Sequence, residues 1–286
     1  GNPHFSASEF TQLAALCHGR RRHPEVALVI TSSRQVVAQA EAAGHLATLQ
    51  AFGARLVTDT CWCMLDEPLV PPGARAVIVA PHPDDEILAC GGLLQLLAAQ
   101  GSQLLFIAVT DGDASHPDSP LWPQERLRQV RPQESAQALA TLGLASPAWL
   151  RLRLPDGGVA GMTPQLSATL AAQLRPGDRV FTTWRLDGHP DHDACGRACA
   201  AACAASGATL VEMPVWGWHW AVPGDMRVPW HRAHRLPLPA SILQRKRAAL
   251  RCFASQMQDD PSTGRPAIIA GDALQRLLHA WEVYFL

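Results

Sequence analysis

The stretch VIVAPHPDDEILACGG, residues 77–92, decides the fold that this sequence predicts. It opens with small apolar and β-branched residues, which are typical of a buried strand in a parallel sheet. One imidazole and three carboxylates, from His82 to Glu86, follow at once, and a helix is predicted from residue 86 onward. In α/β sheets, ligands bind at the carboxyl ends of strands, so this polar turn is a candidate site.

The alternation of strand and helix continues along the chain. Further strands are predicted at 103–110, 148–154, 178–184 and 208–216, and helices at 86–100, 125–143, 163–174, 193–206 and 239–257. This order predicts right-handed crossovers and an α/β fold, a Rossmann-like, mainly parallel sheet between helical layers. Pro132 should start or kink the helix in which it falls.

The first seventy residues have a different organisation. They predict a helix at 6–17, a strand at 25–32, a helix at 34–51 and a strand-like stretch at 54–65. The proline-rich segment 65–75 is typical of a linker. We therefore expect a small α/β segment at 1–70 and the main domain at 71–286.

Composition excludes several classes of function. The chain has 286 residues, 48% hydrophobic residues and a net charge of −1, so nothing favours nucleic acid or an anionic membrane as partner. Neither a membrane span of roughly 18 apolar residues nor a secretory signal is evident. Eight cysteines without metal-knuckle spacing suggest free thiols and a cytoplasmic location. Cys195, Cys199 and Cys203 are spaced as one helical stripe of packing residues.

A second polar turn lies in TTWRLDGHPDHDACG, residues 182–196, and it contains His189, Asp191 and His192. It again follows a predicted strand and precedes a predicted helix. Clustered carboxylates in a sheltered crevice repel one another unless a cation or proton neutralises them. Two strand-end turns with His-Pro-Asp therefore predict one metal centre. Three His and Asp ligands with a position left for water are typical of hydrolytic zinc.

PHPDDE with the distal GHPDH resembles the PIG-L/LmbE-like family of N-acetylglucosaminyl deacetylases, from about residue 75 to the end. TDGDASHP, RPQESAQALATLG, LPDGG and the late RKRAAL extend the likeness. The resemblance implies one zinc per chain, held by His82, Asp85 and His192. It also implies Asp84 as general base and His189 as the oxyanion-stabilising group.

The remaining site expectations concern orientation and substrate. Asp191 could orient His189 or a neighbouring backbone turn. Arg131 would contact sugar hydroxyls by the same resemblance, and Asp187 stands where some family members have a tyrosine credited with helping at the oxyanion. We expect Asp187 and Trp218 at the substrate. The Trp-rich stretch 216–230 fits either a carbohydrate-pocket wall or a packing loop and oligomer interface.

The start of the chain carries a second resemblance. GNPHFSASEFTQLAAL and the segment ending in DTCWC resemble a piece of the aconitase X family of iron–sulfur dehydratases, in which Cys61 would match a cluster ligand. The other ligands that a cluster needs are missing. We expect a truncated relic or a small module reused for packing or assembly.

Together these features predict a zinc-dependent N-deacetylase for an N-acetylglucosamine-type sugar or conjugate. Two alternatives stay open: a zinc amidase with a non-sugar substrate, and a non-catalytic carbohydrate-binding or assembly protein. The expected partner is a small molecule or glycoconjugate, with a homo-oligomer possible.

Overall fold

The computed structural model describes residues 5–23, 26, 28–58, 69–71 and 73–286. The chain divides into two compact units, Gly1–Pro72 and Gly73–Leu286. Each unit has its own secondary structure.

In its described residues, the first unit combines three helices with a two-stranded parallel sheet. Its elements are α1 (Ala7–Cys17), β1 (Leu28–Ser32), α2 (Arg34–Ala42), α3 (His45–Phe52) and β2 (Ala54–Thr58). Phe10 and Leu49 are fully buried in its apolar core. The helix predicted over 34–51 is two helices, because Gly44 adopts a left-handed conformation with φ 73° between them.

The second unit is built on a seven-stranded sheet. Its strands are β3 (Ala76–Ala80), β4 (Leu104–Thr110), β5 (Ala148–Leu154), β6 (Arg179–Thr183), β7 (Thr209–Met213), β8 (Ala233–Pro237) and β9 (Trp281–Phe285). Its helices are α4 (Asp85–Ala99), α5 (Gln124–Thr141), α6 (Thr163–Ala171), α7 (Pro190–Ser206), α8 (Gly217–Trp220), α9 (Ala240–Leu250), α10 (Ala254–Met257) and α11 (Gly271–Leu277).

The strand order is β5-β4-β3-β6-β7-β9-β8, and the path of the chain across the sheet switches sides between β3 and β6. From β3 the chain moves outward through β4 to β5, and it then returns to place β6 on the other side of β3. The strands from β5 to β7 are parallel, and β9 is antiparallel to both β7 and β8. The predicted fold class is confirmed. The reversal between β3 and β6 opens a crevice at their carboxyl ends.

The core confirms the packing role of the cysteine stripe. Cys195, Cys199 and Cys203 lie with the neighbouring alanines of α7 among buried residues of the sheet. Burial raises the pKa of the Cys199 thiol to about 12, so this thiol behaves as a small apolar side chain.

Three details differ from the sequence prediction. The helix predicted over 239–257 breaks before Phe253, whose fully buried side chain accompanies a non-helical ψ of 62°. Pro132 lies inside α5 and does not begin it. The pair β8 and β9 was not predicted, because its pairing joins segments that are distant in sequence. Over the described residues, no helix combines the length and apolar character needed to cross a membrane.

Candidate functional site

Two neighbouring strands bring the two polar motifs together. The turn after β3 carries His82, and α4 begins at Asp85. The turn after β6 ends at His189, the N-cap of α7, so His192 falls in the first turn of that helix. Because β3 and β6 are adjacent and parallel, their carboxyl ends meet at one edge of the sheet.

Three donor atoms converge where these turns meet. Nδ1 of His82 lies 3.4 Å from Oδ2 of Asp85 and 3.3 Å from Nε2 of His192. The third separation, between Nε2 of His192 and Oδ2 of Asp85, is 3.5 Å. A tetrahedral zinc ion with bonds of about 2.0–2.1 Å places its donors about 3.3–3.4 Å apart. The donor set therefore fits one zinc ion.

Other donors crowd the same place. The groups His82, His189, His192 and His82, Asp156, Asp191 each have ligand atoms within 4.8 Å of one another. Asp156 and Asp191 face Nε2 of His82, at 3.1 and 3.4 Å, and that is the ring nitrogen opposite the three-atom cluster. These two carboxylates are therefore placed to orient the His82 ring, not to bind the ion that the three donor atoms would hold.

Both histidines of the cluster have a carboxylate at their second nitrogen. Nδ1 of His192 lies 2.7 Å from Oδ2 of Asp187, as Nε2 of His82 lies near Asp156. In metal sites such partners fix the tautomer and the orientation of the imidazole. Each ring is thereby left with one nitrogen directed at the cluster.

Electrostatics keep the cluster charged. Burial alone would raise the pKa of Asp85, but His192 and His82 hold it well below its usual range. Burial lowers the pKa of His82, whereas bonds to Asp156, Asp191 and Asp85 raise it well above its usual value. The carboxylates at this site are therefore stabilised by positive charge beside them, which ring protons or a bound cation can supply.

Asp84 lies next to this cluster, and Arg131 contacts its carboxylate. Burial raises the pKa of its carboxyl group to about 6, against the opposing charge of Arg131. Nη2 of Arg131 donates to Oδ2 of Asp84 at 2.8 Å and to the carbonyl of Pro83 at 2.9 Å. Nη1 donates to the carbonyl of Gly112, where a Cβ atom would overlap the guanidinium group. Arg131 thus fixes the position of Asp84.

His189 is held as a neutral ring. Burial and then the neighbouring His192 and His82 lower its pKa to about 4. Its Nδ1 accepts the backbone N–H of Asp191 at 3.3 Å, which leaves the proton on Nε2. A neutral imidazole that donates through Nε2 can stabilise an oxygen on which negative charge develops.

These groups line one side of a cavity of about 350 Å³. The Asp84, Arg131 and His189 side chains all face it, as do the three cluster residues. This volume lies within the range of small-molecule sites.

Two residues lie elsewhere than the sequence led us to expect, and a third, Asp191, contacts a backbone turn, the second of its two expected roles. Asp187, expected at the substrate, is fully buried, and its carboxylate accepts the backbone N–H groups of Val215, Trp216 and Gly217 as well as His192. The Asp191 side chain is directed at His82 and at the N–H groups of Gly157 and Val159, not at His189. Trp218 lies outside the lining of the cavity, and its neighbour Trp216 lines it.

Sequence reasoning missed Asp156 as a functional residue. It lies in the LPDGG motif, residues 154–158, after β5. The sequence contained a signal for it, because Asp156 follows a third predicted strand, as the two polar motifs follow theirs. Its partner His82 could not be named without the sheet order. Tyr284, the chain's single tyrosine, is buried with its hydroxyl on Glu282, so it takes no part in the cavity lining.

Comparison with known proteins relates the second unit to one protein family. Residues 77–203 match the PIG-L family, described as GlcNAc-PI de-N-acetylase. The match covers 127 of the 286 residues, and we call the second unit, which contains them, the PIG-L domain. The chain is 27% identical over 263 residues to a 1D-myo-inositol 2-acetamido-2-deoxy-alpha-D-glucopyranoside deacetylase of Rhodococcus jostii, covering 71% of this chain and 88% of that protein.

The PIG-L domain also has structural neighbours. A zinc-inhibited form of teicoplanin deacetylase Orf2 aligns with a TM-score of 0.56 at 18% identity, over 74% of this chain and 97% of that one. This likeness supports the fold alone.

The start of the chain matches a different family. Residues 1–81 match the third domain of aconitase X. A stretch of 78 residues is 95% identical to cis-3-hydroxy-L-proline dehydratase of Pseudomonas aeruginosa, but this chain spans only 13% of that protein's length. The expected cluster position Cys61 lies outside the described residues. The dehydratase activity is therefore a property of that protein and is not carried over.

Proposed function

We propose that the PIG-L domain is a zinc-dependent hydrolase that removes the N-acetyl group from an N-acetylglucosamine-type sugar or conjugate. One observation carries the proposal: the three donor atoms of His82, Asp85 and His192 lie 3.3–3.5 Å apart on the wall of a cavity that Asp84 also faces. A deacetylase needs this combination of a Lewis-acid position and a neighbouring base.

In this proposal His82, Asp85 and His192 hold one zinc ion per chain. When bound, zinc activates water near neutral pH and polarises the amide carbonyl. Asp156 orients the His82 ring through its Nε2, and Asp187 orients the His192 ring through its Nδ1. In this proposal the metal site is therefore built by residues from three strand-end turns of the domain, after β3, β5 and β6.

Asp84 moves the proton. Its carboxylate accepts a proton from water as the water oxygen forms a bond to the amide carbon, and it returns the proton to nitrogen as the C–N bond breaks. The products are acetate and the free amine. Arg131 holds Asp84 in place for both transfers. A raised pKa near 6 suits a group that must accept and then release a proton.

His189 stabilises charge on the carbonyl oxygen. Its neutral ring donates through Nε2, and the depressed pKa keeps a second proton from binding at Nδ1. The backbone N–H of Asp191 fixes this tautomer. An oriented donor of this kind is typically worth about 2.7–4 kcal/mol in the transition state.

The metal assignment is tested by His192→Ala. We expect about one zinc per chain in the parent protein and strong loss of zinc in the variant, because one of three ligands is removed. The matched control is His234→Ala in β8, an exposed histidine outside the cavity. Elemental analysis of both dialysed variants gives the result, and undiminished zinc in His192→Ala would contradict the site.

A further inference from the structure

A second cleft lies in the PIG-L domain, apart from the cavity that holds the zinc-donor cluster. Its volume is about 410 Å³, against about 350 Å³ for that cavity, and among the described residues the two share no lining side chain. Its principal lining residues are Trp218, Val222 and Trp230 of the Trp-rich stretch, with Arg276 and His279. We call it the tryptophan cleft. The proposed reaction uses none of these residues.

Two helices separate the tryptophan cleft from the reaction cavity and contribute to both. In α8, Trp218 lines the cleft, whereas His219 lines the reaction cavity. In α11, Arg276 lines the cleft and Leu274 lines the cavity, because residues two positions apart lie on different sides of a helix. A molecule in the cleft therefore contacts other side chains than a molecule at the zinc-donor cluster.

Arg276 gives the cleft a positive charge that no carboxylate of the described residues neutralises. Its Nη1 donates to the carbonyl oxygens of Trp218 and Ala221, at 3.0 and 2.7 Å, so the guanidinium group is held in place. Its Nε and Nη2 donate to no described residue. In Arg75 the same two atoms bind both oxygens of Asp178, at 3.1 and 2.6 Å. Arg276 therefore presents a free fork that suits a carboxylate.

The aromatic side chains of the cleft suit a sugar ring. Nε1 of Trp230 donates to the carbonyl of Asp225 at 2.9 Å, which fixes the indole ring. The face of an indole carries partial negative charge and attracts the C–H bonds of a pyranose. Trp230 is 40% exposed and Val222 is 56% exposed, so the hydroxyl groups of a ligand here stay in contact with water. They avoid the cost of burial without hydrogen bonds.

We infer that the tryptophan cleft binds an acidic sugar residue, a pyranose that carries a carboxylate group. The carboxylate accepts hydrogen bonds from Nε and Nη2 of Arg276, and the ring packs on Trp218 and Trp230. This inference goes beyond the proposed deacetylase function, because it assigns a second binding site that needs neither zinc nor hydrolysis.

Methyl β-D-glucuronide and methyl β-D-glucoside test the class of ligand. Neither has an amide, so neither is a substrate of the proposed reaction. Both are titrated into zinc-loaded full-length protein and followed by ligand-observed NMR. The glucuronide should bind at least about tenfold more tightly, because it adds a charge-assisted pair of hydrogen bonds. Equal affinities would overturn the inference, and so would tighter binding of phenylacetate, which would assign the cleft to aromatic acids.

Two variants test the position of the sugar. Arg276→Gln should abolish the preference for the glucuronide, and Trp230→Ala should weaken binding of both compounds several-fold. Arg247→Gln is the matched control, because exposed Arg247 also donates to a backbone carbonyl, that of Leu278 at 3.4 Å, but does not line the cleft. A parent-like preference in Arg276→Gln would overturn the assignment. If that variant does not fold, unchanged affinities in Trp230→Ala would do so.

His192→Ala separates the cleft from the zinc site, since a carboxylate also binds zinc. This variant should keep the parent affinity for the glucuronide, and loss of binding would place the sugar at the zinc-donor cluster and overturn the inference. Absence of sugar binding together with a dimer that Trp230→Ala dissociates would assign the cleft to a second copy of the chain instead. Failure to hydrolyse any N-acetylglucosaminide contradicts the deacetylase proposal alone, because glucuronide binding is measured without hydrolysis.

Discussion

At the residue scale, the unusual feature is the backbone of Asp84. Its φ of 139° and ψ of −30° are rare for a residue with a side chain. Such conformations persist only where surrounding contacts impose them, and they concentrate at functional sites. Here Arg131 holds the carboxylate and Glu86 accepts the backbone N–H at 3.1 Å.

The three acids of PHPDDE therefore have three different surroundings. Asp85 belongs to the donor cluster and Asp84 faces the cavity beside Arg131. Glu86 is turned inward, where its carboxylate accepts the hydroxyl of Ser135 and the N–H of Asp84. Burial raises the pKa of Glu86 to about 7. Its contacts support the turn rather than the reaction.

We expect Asp84→Asn to keep zinc and to lose activity. Asparagine is isosteric and can still accept the Arg131 hydrogen bond, but it cannot take a proton from water. The loss of general-base catalysis should lower kcat about 10²- to 10⁴-fold. Turnover and zinc content are measured on the same preparation.

Asp118→Asn is the control for that change. Asp118 is exposed and also has a positive φ, 63°, a conformation that asparagine tolerates well. It should retain full activity. Near-normal turnover in zinc-loaded Asp84→Asn would mean that another group accepts the proton.

Part of this site is predictable from sequence, for a physical reason. Two motifs that each follow a strand of one parallel sheet must end at the same edge, so His82 and His192 could be expected to lie near each other. The outer partners were not predictable. Asp156 comes close to His82 only through the order β5-β4-β3 in the sheet, and Asp187 contacts His192 through the conformation of the turn after β6; local periodicity encodes neither.

At the scale of elements, α4 contains a break close to the site. Cys90 leaves helical geometry, with φ −135° and ψ 19°, so nearby backbone N–H groups lose helical partners. Glu282 of β9 accepts two of them, from Gly92 at 2.7 Å and Leu93 at 2.9 Å. The same carboxylate binds Lys246 of α9 at 2.7 Å. One buried residue thus joins a helix, a strand and a second helix.

Glu282→Gln should destabilise this domain strongly. Lys246 is fully buried, and removal of its charge partner typically costs about 3–5 kcal/mol. We expect the free energy of unfolding, measured in urea, to fall by an amount of that order. The double variant Glu282→Gln with Lys246→Met should recover part of the loss, because the unpaired charge is removed.

Glu125→Gln provides the comparison. Glu125 is mostly exposed and pairs with Arg128 at 3.2 Å on the surface of α5. An exposed pair is screened by water, so the urea midpoint should hardly change. Equal effects of Glu125→Gln and Glu282→Gln would contradict the role given to the buried network.

At the scale of the whole molecule, two compact units have separate cores. The alternation of strands and helices predicted the second unit's parallel strands, whereas its antiparallel edge, β8 with β9, depends on long-range pairing and was missed. The first unit buries its own apolar residues around Phe10 and Leu49. Every residue proposed here for metal binding, proton transfer or substrate binding lies in the second unit.

A chain of residues 70–286 should therefore bind about one zinc and hydrolyse substrate as fast per zinc as the full-length protein. The physical reason is that the donor cluster, Asp84 and the cavity wall all lie within Gly73–Leu286. Zinc content and turnover are compared for both chains with one N-acetylglucosaminide, and residues 1–72 alone serve as the inactive control. Reduced solubility of the short chain is compatible with this expectation when turnover per zinc is unchanged. A soluble, zinc-loaded short chain without activity would instead show that the first unit contributes to the reaction itself.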